Sequence, residues 1–165
     1  MKKLICIILA LTALMALTAC DGEEPDAAEA KYVFVANGVE IRIDAPADTV
    51  LPALGEPKSY DESPSCAFEG LDKVYVYAGF KIQTYPLNGK DYIYSVSLTD
   101  DSVATPESVA VGAGKDQVTA AYGTPTTQSD TEMVYRDTQS KMHLQFLLRD
   151  GKVTNIQYAK QTDTQ

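Results

Sequence analysis

Tryptophan is absent from this chain of 165 residues, and histidine occurs once, at His143. A lone histidine with no second histidine or cysteine near it in sequence supplies no zinc ligand set. No Gly-x-Ser-x-Gly elbow marks a serine nucleophile, so a hydrolytic triad has no signature either. Basic residues are scarce: 14 Lys and Arg against 23 Asp and Glu leave a net charge of −9. Nucleic acid and anionic lipid both need clustered Lys or Arg, so this balance weighs against them as partners. Long hydrophobic runs are missing as well. The longest, Leu4–Leu17, is uncharged but falls short of the roughly 20 apolar residues that cross a bilayer.

Two features resemble chemical motifs but lack their spacing. Gly112-Ala113-Gly114-Lys115 lacks the four-residue spacing and the Ser or Thr of a phosphate loop, and Asp116 would oppose phosphate. The acid pairs Asp61/Glu62 and Asp100/Asp101 match no calcium-loop spacing. Paired glycosidase carboxylates need a formed cleft. The sequence therefore predicts no enzyme, no metal site and no cofactor.

What is present begins with an address. Lys2 and Lys3 precede the apolar run, and Leu17-Thr18-Ala19-Cys20 follows it. These residues resemble the signal peptide and lipobox of bacterial lipoproteins. The resemblance implies cleavage before Cys20, diacylglycerylation of its thiol, and anchoring at the extracytoplasmic face of a cell membrane. More than one acyl chain holds a soluble domain firmly, whereas one is marginal. Removal of residues 1–19 leaves 146 residues, the size of one ordinary domain or two very small ones, and the loss of Lys2 and Lys3 makes the charge −11. Cys6 leaves with the signal peptide and Cys20 carries lipid, so Cys66 stands alone; it is expected as a small buried apolar residue, with an intermolecular bridge or a reactive thiol as the alternatives.

Residues 20–31 comprise the lipidated cysteine and an acidic tether with five acids at 21–31. Such a segment cannot pack, and as a flexible coil it reaches about 18 Å. The tail, 161–165, is polar.

Between tether and tail the chain repeats itself. Ile41–Pro57 aligns with Val109–Pro125 at a constant offset of 68, and Leu87-Asn88-Gly89-Lys90 aligns with Arg149-Asp150-Gly151-Lys152 at an offset of 62. Val50, Ala53 and Leu54, like Val118, Ala121 and Tyr122, share one face of a short helix. Gly55 and Gly123 supply the left-handed residue that ends it, and Pro57 and Pro125 stop it from resuming. Pro52 inside the first helix predicts a shorter or distorted one. Strands are expected at 32–36 and 39–43 around Asn37-Gly38, at 73–77, 80–85 and 91–98, and at 132–136, 141–148 and 152–158, with Asn88-Gly89 and Asp150-Gly151 as hairpin turns. The reading is an α+β fold of two tandem modules, 32–101 and 102–160, each a short helix packed on a three- or four-stranded antiparallel sheet.

The pattern of Gly112, Val118, Gly123 and Pro125, followed by meander strands and an Asp-Gly-Lys hairpin, resembles the SmpA/OmlA group of small envelope lipoproteins. The tandem arrangement resembles the β-lactamase inhibitory protein. The resemblance implies a fold, and relatives of that fold bind proteins as assembly accessories or inhibitors. The first copy departs from it at Asp44, where glycine is expected, and at Pro52.

Ten tyrosines remain to be placed. Tyr75 and Tyr77, and Tyr92 and Tyr94, are spaced two apart on strands, so each pair shares a sheet face. Tyrosine buries large area at low entropic cost and is enriched at interfaces. These four are the candidate binding residues. They would act in a lipid-anchored module that contacts another envelope or extracellular protein through an open sheet face. The alternative is a small-ligand binder, taking glycan or peptide fragments between the modules. His143, out of phase with Met142, Leu144, Phe146 and Leu148, is expected on the face opposite to them.

Overall fold

The structure is a computed structural model that describes residues 30–161. The signal stretch, Cys20 and most of the tether lie outside the described residues, as does nearly all of the tail. Within them the chain forms β1 (Phe34–Ala36), β2 (Val39–Ile41), α1 (Ala47–Leu54), β3 (Ser59–Pro64), β4 (Leu71–Val76), β5 (Phe80–Leu87) and β6 (Lys90–Leu98). It continues with α2 (Lys115–Tyr122), β7 (Thr127–Gln128), β8 (Glu132–Asp137), β9 (Met142–Arg149) and β10 (Lys152–Lys160).

Three hairpins are closed by residue pairs with positive φ at both centres: Asn37-Gly38 (52° and 79°), Asn88-Gly89 (52° and 75°) and Asp150-Gly151 (52° and 71°). That is the turn whose twist matches paired strands. The two helices keep the offset of 68 at both ends, and Gly55 (φ 79°) and Gly123 (φ 74°) follow them in the left-handed region. Pro52 does not shorten α1, which has eight residues like α2. Its side chain lies on the exposed side, where losing one backbone bond is tolerated.

The expected pair of modules, each with its own small sheet, is not what forms. Eight strands make one antiparallel sheet in the order β3-β4-β5-β6-β10-β9-β8-β7, and β1-β2 is a separate two-stranded sheet. The join is β6 on β10, through Leu98↔Ile156, Ser97↔Gln157, Val96↔Tyr158 and Ser95↔Ala159. Left apart, those two long strands would each expose an unpaired edge, and pairing them satisfies both. Two elements went unread in the sequence, β3 and β7. Both are edge strands whose residues are exposed, so no apolar alternation announces them.

One core unites the sheet with what covers it. Val50 and Leu54 of α1, Val118 of α2, Phe34 and Ile41 of the β1–β2 hairpin, and Ile82, Val96, Leu144, Phe146 and Ile156 of the sheet belong to a single buried cluster. The hairpin lies over the middle of the sheet. Phe34 packs edge-on against Phe80 (centroids 5.3 Å apart) and tilted against Tyr158 (5.9 Å), which come from opposite sides of the join. Tyr32 reaches Tyr122 and Tyr135 at 6.0 and 6.4 Å. The architecture is therefore two layers: the eight-stranded sheet, and a cover of α1, the hairpin and α2 on one face.

On the other face, two cross-strand rows run the width of the sheet. One cross-strand row runs Ser59, Val76, Lys81, Ser97, Gln157, Gln145, Val134, Thr127. The next runs Asp61, Val74, Gln83, Ser95, Ala159, His143, Arg136. Residues opposite one another in a ladder share a face, so these two rows are polar and aliphatic rather than aromatic, with Ser95, Ser97, Val134 and Ala159 buried within them. His143 does stand opposite Met142, Leu144, Phe146 and Leu148, all of which are buried. Burial, and then the positive charge of Arg136, hold its imidazole below the ordinary histidine pKa.

Candidate functional site: an aromatic cavity where β5, β6 and β10 meet

The repeat sets up the site by breaking its own rule. Beside the second helix, Gly112 adopts φ 93°, its N–H donates to the Val153 carbonyl, and the Val153 N–H donates to the Ala113 carbonyl. Beside the first helix the same two bonds recur, from Asp44 N–H to the Ile93 carbonyl and from Ile93 N–H to the Ala45 carbonyl. Asp44 adopts φ 65°. Left-handed backbone costs a residue with a Cβ roughly 1–2 kcal/mol, so the carboxylate at this position carries a penalty that glycine would avoid.

The carboxylate has partners that offset the penalty. Its Oδ1 accepts a 2.8 Å bond from the Tyr85 hydroxyl on β5, and both its oxygens accept from Lys160 Nζ at the end of β10, each at 2.8 Å. Lys160 Nζ also donates to the Tyr85 hydroxyl at 3.0 Å and lies 4.9 Å from the centre of its ring. The ammonium thus has three acceptors for its three N–H groups. Burial, and then the bond to Asp44, push the Tyr85 hydroxyl well above the ordinary tyrosine pKa, so it stays protonated. This triad ties the start of the first helix segment to the last strand.

Next to the triad a cavity of about 420 Å³ opens, lined by Ser65–Phe68, Asp72, Gln83, Tyr85, Tyr94, Lys160 and Gln161. Its roof is the loop between β3 and β4. Ser65 N–H donates to the Gly70 carbonyl at 3.0 Å, and Ser65 Oγ accepts from the N–H groups of Ala67 and Phe68. Gly70 is required there: its φ is 128°, and a Cβ would stand 2.9 Å from Pro86 Cβ. The close approach lets Phe68 settle 4.9 Å from Tyr85, and Tyr94 meets Tyr85 edge-on at 6.1 Å and 78°. A bulge in β6 shifts the register between Ser95 and Ile93, which frees Tyr94 from strict pairing and brings it to the cavity.

The four tyrosines singled out in sequence do not gather in one place. Tyr94 lines the cavity. Tyr92 is 1% exposed, and its hydroxyl has no hydrogen-bond partner among the described residues. Tyr77 belongs to the core, stacked on Phe80 at 5.0 Å and 12°. Tyr75 pairs with Ile82 and is half-buried beside α1, so it is Val74 and Val76 that face the opposite side. Cys66, expected to be buried, is exposed on the roof. Sequence reasoning passed over Tyr85, Lys160, Phe68 and Gln83. One signal was available, the aspartate at position 44 where the repeat has glycine.

Scans against known family models, curated proteins and solved structures found no match. Among the described residues no group of three or more His, Cys, Asp or Glu is placed to hold a metal ion, and no helix is long and apolar enough to cross a membrane.

Proposed function

We propose that this protein is a lipid-anchored, extracytoplasmic binding protein that takes a small organic ligand in the cavity beside Asp44, Tyr85 and Lys160. The observation that carries the reading is the cavity itself. Its volume lies within the roughly 300–1,000 Å³ of ligand sites, and aromatic walls with a few convergent polar groups are their usual lining. Anchoring rests on the lipobox-like Leu17–Cys20. No catalytic role is assigned, because the one strongly perturbed group in the cavity is a tyrosine locked in its protonated form.

A second reading, docking of another envelope protein on the other sheet face, is supported by α1, α2 and the hairpin all joining one core cluster, while Ser59, Lys81 and Thr127 of the row on the opposite face are exposed. The resemblance to the SmpA/OmlA group points the same way, by analogy of fold alone. The two readings separate in native mass spectrometry of the full chain purified from envelope. A non-covalent adduct of small mass, lost in Tyr94→Ala, supports the cavity. A stoichiometric protein partner retained by Tyr94→Ala and no small adduct would overturn it.

A further inference from the structure

Resting on the cavity as a binding site, we infer that its ligand presents an uncharged pyranose ring, as found in a neutral saccharide. The first ground is electrostatic. Among the described residues Lys160 is the cation lining the cavity, and its three donors are already met by Asp44 Oδ1, Asp44 Oδ2 and the Tyr85 hydroxyl. An anionic ligand would have to break that set or bind without a charged donor. The acidic balance of the chain, −9, repels it further.

The second ground is the set of groups left over. Among the described residues, the side chains of Asp72, Gln83 and Tyr94 line the cavity and make no hydrogen bond or ion pair. Together they offer acceptors only (the carboxylate), a donor and an acceptor in one amide, and a phenol that does both. Sugar hydroxyls each donate and accept, so they can satisfy all three at once. A quaternary ammonium would stack on the same rings, but it offers neither donor nor acceptor to Gln83 and Tyr94, and it would share the cavity with Lys160.

The third ground is the walls. Tyr85 and Tyr94 meet at 78°, and Phe68 tilts by 37° on Tyr85, so the aromatic surfaces form a corner rather than a flat stack. The C–H face of a pyranose is apolar and fits against one aromatic wall, while its equatorial hydroxyls point outward to the polar groups beside it. Nothing in this arrangement needs a charge on the ligand.

The test is calorimetric titration of the full chain in a sugar-free detergent with four probes: glucose, the β-1,4-linked trimer of N-acetylglucosamine, choline and acetate. The inference expects at least one neutral saccharide to bind, with little change between low and high salt. Gln83→Ala and Tyr94→Ala, both at half-buried positions, should keep the wild-type melting profile and weaken binding tenfold or more. Tyr94→Phe, which keeps the ring, should fall between. Binding of choline or acetate alone would overturn the sugar assignment while leaving the cavity a binding site. Saccharide binding unaffected by both alanine variants, or no binding by either saccharide, would overturn it too. The mass-spectrometric adduct, measured separately, reports whether the cavity reading itself fails.

Discussion

Substituting Asp44 exposes two opposed effects whose sizes can be set against each other. In Asp44→Gly the left-handed backbone at φ 65° becomes unstrained, a gain of about 1 kcal/mol. The same change removes the acceptor of the Tyr85 hydroxyl and of Lys160, bonds to a charged group worth about 1.5–3 kcal/mol in all. The Lys160 side chain is 29% exposed, so solvent recovers part of the ion pair, and the lower half of that range applies. Asp44→Gly should therefore destabilise by about 1 kcal/mol net. Asp44→Ala loses the same bonds and keeps the strain, so it should be worse than Asp44→Gly by about another 1 kcal/mol. The repeat supplies its own control. Gly112 holds the matching position at φ 93°, and a Cβ there meets nothing within 4 Å. Gly112→Ala should then cost about 1–2 kcal/mol from backbone alone. Urea unfolding at constant temperature, with unchanged m-values, measures all three. If Asp44→Gly equals or exceeds the wild type, the triad stabilises nothing. If Asp44→Ala matches Asp44→Gly, the strain argument is wrong.

Three further outcomes are expected. Tyr77→Ala removes a core ring stacked on Phe80 and should cost about 3–5 kcal/mol, whereas Tyr94→Ala should stay within about 1 kcal/mol of wild type; the same urea series compares them. His143 has a folded-state pKa below its ordinary 6.5, so the unfolded chain binds the extra proton first. Its contribution to stability is therefore full above 6.5 and is lost as pH falls through the lower folded value. His143→Gln should flatten the stability profile across that window, and an unchanged slope would assign it to other groups. Cys20→Ala should abolish fatty-acid labelling and leave the signal peptide uncleaved; continued labelling would place the lipid elsewhere.

The local elements were legible because their signals are local. Asn-Gly and Asp-Gly pairs demand positive φ at two successive residues, and the apolar i, i+3, i+4 spacing of Val50 and Val118 marks one buried helix stripe. The joining of the strands into one sheet was not legible. Val96, Leu98, Ile156 and Tyr158 read the same whether their strands lie at two sheet edges or pair with each other, since alternation reports a face and not a neighbour. The tyrosine faces were open for a related reason. Val74/Val76 and Tyr75/Tyr77 are both acceptable core pairs, and only the pairing of Tyr75 with Ile82 decides between them. The cavity depended on long-range facts: a β6 bulge that turns Tyr94, a roof held by the Gly70–Pro86 approach, and a lysine 116 residues from its aspartate. Only the aspartate in a glycine position hinted at it.

The most direct measurement of the central claim is chemical-shift mapping of the full chain, in sugar-free detergent, titrated with the small-molecule fraction of an envelope extract. Shifts should concentrate at Cys66, Phe68, Gln83, Tyr85, Tyr94 and Lys160, around the cavity lining. Confinement of the shifts to the opposite-face row of Lys81, Ser97, Gln157 and Gln145, or no shifts at all, would contradict the claim.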